Sequence, residues 1–157
     1  MNDNVEGMKK LLLVLGIGAM AATAAPLVDG ELSASGQAAV ASYNAMVVCL
    51  DDMAACLSRI QDKATAAAEA PTLHRLGLEL KVILANTEPP HVVRQKAITT
   101  ADEQALQVSD KNLRAAGLAV HHQILRLAKE QFYHSAPLIK TFQALEMLST
   151  DTDSLIR

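Results

Sequence analysis

Between residues 100 and 132, apolar side chains return every seven positions. Leu106, Leu113, Val120 and Leu127 make one row, and Leu118, Leu125 and Phe132 make another. Seven residues are two turns of an α-helix, whereas side chains on a strand alternate with period two. The segment is therefore committed to a helix. Its two rows stand about 140° apart on a helical wheel, a face wide enough to touch two neighbouring helices at once.

Composition carries this reading to the rest of the chain. Half of the 157 residues are hydrophobic, yet the aromatic ones are only Tyr43, Phe132, Tyr133 and Phe142, and there is no Trp. Ala and Leu, the best helix formers, supply most of the remainder, while the aromatic residues that strands favour are scarce. Charged residues make up 20%, too few for a disordered tail and too many for a multi-span membrane protein. The length suits one domain. The expected fold is all-α, an antiparallel bundle of about four helices that follows a cleaved signal peptide.

The signal reading rests on Lys9 and Lys10, the apolar run Leu11 to Met20 and the small residues Ala22-Thr23-Ala24. Together they form the three-part export pattern, with cleavage expected after Ala24. Asp3 and Glu6 fit a positive leading segment poorly and suggest Met8 as the true start. The run is short of the roughly 20 residues a spanning helix needs, so no stable membrane anchor is expected after cleavage. The expected divisions are a signal at 1–24, a flexible lead-in at 25–34, a helical domain at 35–149 and a frayed tail at 150–157. The chain is then periplasmic or secreted. Net charge is −3 with no basic block, which argues against nucleic acid as a partner.

Within the domain, the first helix is expected from Ser35 to Asp62, with Tyr43, Val47, Leu50, Ala54 and Leu57 on one stripe that Val40, Met46, Met53 and Ile60 widen. The second runs from Ala64 to Ala85 on Leu73, Leu76, Leu80, Ile83 and Leu84. Pro71 either kinks it or marks its first turn, and Pro89-Pro90 stops it. Thr100-Ala101-Asp102-Glu103 has the form of a capping box that starts the third helix, which ends near Gln131. Ser135 is placed to cap a fourth, with Pro137 in its first turn and Leu138, Phe142, Leu145 and Leu148 as its stripe. Ala70-Pro71 and Ala136-Pro137 form a faint internal echo.

Chemistry-bearing motifs are sparse. Cys49 and Cys56 lie seven apart, about 10.5 Å along a straight helix, too far for a disulfide with each other. Three readings stay open: thiols that pack as small hydrophobes, an intermolecular disulfide, or a helix broken between them. The spacing is not that of a redox or haem-attachment motif. His121 falls between the two apolar rows of the third helix, which suits a hydrogen-bonded core histidine or, less simply, a ligand paired with Met46 or Met53 from the first helix. Glu130 and His134 have the i,i+4 spacing of a surface pair. No phosphate loop, H-E-x-x-H or nucleophile elbow is present.

The export signal, the four-helix reading and Pro89-Pro90 after the second helix resemble the exported b-type cytochromes, which hold haem between Met and His. That resemblance implies a small haem- or metal-binding bundle using His121 with Met46 or Met53. The family takes its His from the last helix, however, and Leu138 to Leu148 contains none. The leading expectation is therefore a non-catalytic envelope protein without catalytic residues, cofactor or metal. It would act through a protein partner or as a homodimer.

Overall fold

The computed structural model describes residues 30–88, 92–93 and 99–155, with side chains through Leu145. The signal segment and Pro89-Pro90 lie outside these residues. Among the described residues there are four α-helices and no strand: α1 (Ala34–Ser58), α2 (Lys63–Asn86), α3 (Thr100–Lys129) and α4 (Ala136–Leu155).

Local hydrogen bonding explains where the helices start. Ser33 caps α1, its Oγ accepting the Gly36 amide at 3.0 Å. Asp62 and Thr65 form a reciprocal capping box on α2, and Thr99 and Asp102 form one on α3. The box on α3 sits one residue earlier than the Thr100 start expected, because the Asp102 carboxylate reaches the Thr99 amide at 2.8 Å. Pro71 lies well inside α2, so it does not mark the first turn. At the other end of the chain, α4 continues to Leu155, past the frayed tail expected from residue 150. Ser149 to Leu155 contains no Gly or Pro to stop it.

Long-range hydrogen bonds set the packing. The Asp102 carboxylate also accepts the Ser33 amide at 2.9 Å, while Arg126 donates to the Leu57 carbonyl at 2.7 Å and to the Ile60 carbonyl at 2.9 Å. The start of α1 thus meets the start of α3, and the end meets the end. These two helices run parallel. Cys49 reaches the Leu76 carbonyl and Cys56 reaches Glu69, so α1 and α2 run antiparallel. Thr141 meets Ala70, and a Cβ at Gly77 would strike Leu145, so α2 and α4 are again parallel. Among the described residues α3 and α4 come together only through the turn that joins them. The second hairpin is laid against the first, α3 beside α1 and α4 beside α2.

The core follows from this order. Ala39, Tyr43, Met46, Leu50, Met53, Leu57 and Ile60 are buried at alternating spacings of four and three, with Cys49 and Cys56 buried toward α2. In the first hairpin each helix touches two neighbours, α1 meeting α2 and α3 while α2 meets α1 and α4; α3, the helix expected to do so, is not one of them. On α3 the row Leu106, Leu113, Val120 and Leu127 is buried, but Leu118 and Leu125 are 43% and 39% exposed. The second row faces outward because α4 sits beside α2 and leaves that flank of α3 open. By length and composition α1 could also cross a membrane. A core helix passes the same test, and here its apolar stripe is packed against α2 and α3.

The link between α3 and α4 departs from ordinary backbone. Gln131, Phe132, Tyr133 and His134 all have positive φ, between 49° and 53°, and none is Gly. Left-handed helical backbone brings Cβ against the following carbonyl oxygen, at roughly 1–2 kcal/mol per residue. Aromatic packing holds the turn. Phe132 lies against Phe142 with ring centroids 5.1 Å apart, and Tyr133 packs on the core.

Candidate functional site

The cysteines are built into the α1/α2 interface. Both are free and buried. Cys49 donates to the Leu76 carbonyl at 3.4 Å, and Cys56 donates to Glu69 Oε2 at 3.2 Å. Glu69 in turn accepts both ends of the Arg59 guanidinium at 2.8 Å. Burial pushes the Cys49 thiol up to about 11, helped by the negative charge of Glu79 and Asp52. Burial and the hydrogen bond to Glu69 push Cys56 up to about 12. The hydrogen bonds from Arg59 hold the Glu69 carboxyl below its ordinary range. Nucleophilic and redox chemistry need the thiolate, and this environment opposes it at both residues. Intermolecular pairing would require α1 to leave α2. The packed-thiol reading is the one the geometry favours.

His121 is half-buried on the flank of α3, and its Nδ1 is enclosed without a hydrogen-bond partner among the described residues. The parallel register, Ser33 with Asp102 and Leu57 with Arg126, brings Met53 level with His121, while Met46 lies two turns away. Both methionines are buried in the core. The α1 and α3 backbones approach within 8 Å of each other, too close to admit a porphyrin between a methionine of one and a histidine of the other. The residues do not fit a haem held in that way. No group of three His, Cys, Asp or Glu side chains among the described residues is arranged to hold a metal ion. Glu130 and His134 do not share a helical face, since the left-handed turn intervenes.

Two features escape sequence reasoning. One is the shared cap at the start of α1 and α3. Asp102 has no solvent exposure and lies so close to Gly36 that a Cβ there would collide with its carboxylate. Hydrogen bonds from the Thr99 and Ser33 amides, against the opposing effect of burial, lower its pKa. The other is Ser135, which is buried with its Oγ unpartnered among the described residues, although it stands where a cap for α4 was expected. The Asp102 cap had a partial signal in the Thr-x-x-Asp spacing, but its bond to Ser33 spans 69 residues and had none.

No family model matches the chain, and neither a curated protein nor a solved structure shows significant similarity to it.

Proposed function

We propose that this chain is an exported, non-catalytic helical protein that works through protein–protein interaction at the outer face of α3. The observation that carries the reading is the second heptad row. Leu118 and Leu125, two turns apart on one face, remain exposed, and Val108 is exposed on the same helix. Single exposed apolar residues are ordinary, but a repeated row on a helix that already buries another row supports a docking face. The inert thiols and the poor fit to haem speak in the same direction. Export rests on the Lys9-Lys10, apolar run and Ala22-Thr23-Ala24 pattern.

Cross-linking the chain in the cell envelope, beside a Leu118→Ser/Leu125→Ser variant, tests the interaction. A defined partner captured by the parent and lost by the variant, with helicity unchanged, is the expected result. Equal capture by both chains counts against the α3 face. Intact mass of the purified protein tests export, with cleavage after Ala24 expected.

A further inference from the structure

We infer that α4 is an exchangeable arm, and that this chain forms a dimer in which α4 of each copy packs on α2 of the other. The inference is independent of the α3 surface reading and needs only the turn and the α2/α4 interface. The link Gln131–His134 holds four non-glycine residues in left-handed backbone. The same residues are free to adopt right-handed helix, the ordinary state of L-residues. Doing so joins α3 to α4 in one continuous helix and carries α4 away from its own α2.

Three observations favour a second copy as what receives it. Among the described residues, the α4 backbone comes close to the rest of its chain only at α2 and the turn, so moving it separates no other pair of packed helices. The surface it leaves, where Gly77 admits Leu145 and the Ala70 carbonyl accepts Thr141 at 3.3 Å, is reproduced unchanged when another copy supplies α4. Ala136-Pro137 does not forbid the joined helix, because α2 already carries the same dipeptide, Ala70-Pro71, in its interior. Against opening stand Phe132 and Phe142, whose contact exists only while the chain doubles back. A strained short hinge and a transferable interface are the conditions under which identical elements exchange between chains.

The test compares the purified chain with two variants at exposed turn positions. Gln131→Gly/His134→Gly relieves the left-handed strain, and Gln131→Ala/His134→Ala favours the helix. Each is unfolded and refolded at high concentration, checked for helicity by circular dichroism and sized by sedimentation. The parent is expected to give a dimer that separates from monomer and converts back slowly. The glycine variant should lower the dimer-to-monomer ratio about tenfold, and the alanine variant should raise it. Refolding a mixture of isotope-labelled and unlabelled chains gives the second readout. Lys140 to Lys63 cross-links in the dimer should join labelled to unlabelled chains. A chain that stays monomeric throughout, a dimer indifferent to glycine, or a dimer whose α2/α4 cross-links stay within one chain overturns the inference.

Discussion

Two turns lie side by side at one end of the molecule and solve the same problem differently. The turn from α1 to α2 is relaxed and its polar groups are satisfied. Arg126 takes up the Leu57 and Ile60 carbonyls, and the Asp62–Thr65 box takes up amides at the start of α2. The turn from α3 to α4 is left-handed for four residues, and the Ser135 hydroxyl at its end makes no hydrogen bond among the described residues, although its carbonyl accepts the Ile139 amide at 3.0 Å. The first turn joins helices that pack on each other. The second must carry the chain from beside α1 to beside α2, and aromatic packing holds it there together with backbone hydrogen bonds from Tyr133 to Glu130 and from Ser135 to Phe132. The first turn thus leans on a side chain 66 and 69 residues away to take up its carbonyls, whereas the second closes its own backbone hydrogen bonds and carries its cost as left-handed strain.

Substitutions in the two turns sharpen that contrast. The largest effect is expected at the relaxed turn, where Ile60 is fully buried. Ile60→Ala should cost about 3 kcal/mol in urea unfolding, and a loss under 1 kcal/mol would mean that the turn is not anchored by its core contact. In the strained turn the sign reverses. Gln131→Gly with His134→Gly should raise stability by about 1 kcal/mol, measured on the monomer, because glycine adopts positive φ without steric cost. A loss of stability would show that no strain resides there.

The caps separate next. Ser135→Ala should leave stability within about 0.5 kcal/mol of the parent or raise it, since the hydroxyl makes no bond that its removal breaks. Asp62→Ala should lower stability, because it removes a cap in use. A marked loss from the Ser135 change would reveal a partner for its hydroxyl.

The smallest effect is in pH. Asp62 is held below the ordinary carboxylate range by hydrogen bonds from Thr65, and Asp102 by those from Thr99 and Ser33. A carboxylate with a lowered folded pKa contributes stability that is complete above its unfolded pKa, near 4, and is lost as pH falls through the folded value. The urea midpoint should therefore hold steady down to about pH 4.5 and decline below it. Asp62→Asn should make that decline shallower, and an unchanged slope would remove Asp62 from the account.

Much of the helical layout was legible beforehand because helices are made by local rules. Heptad spacing located α3, and Leu138, Phe142 and Leu145 were read as one stripe and are buried together, whereas Asp62 was read as the end of the first helix and Ser33 as lead-in, and both are helix caps. The site residues were legible only as residue types. Packing as small hydrophobes was one open reading of Cys49 and Cys56, but that Glu69 and Leu76 would receive their thiols depended on α2 lying alongside. Leu118 and Leu125 were assigned to a second neighbour, and periodicity has no means of showing which face of a helix another element will cover.

By itself the sequence determined that this chain is helical, where its helices begin, and which residues are apolar enough to bury. These follow from propensity, period and hydrogen bonds that close within four residues. Tertiary structure alone decided that α3 runs parallel beside α1, that Asp102 ties two helix starts together, and that the chain turns left-handed at Gln131–His134. Those outcomes depend on contacts tens of residues apart in sequence, where packing free energy outweighs local preference, to the point of holding four L-residues in backbone they would not adopt alone.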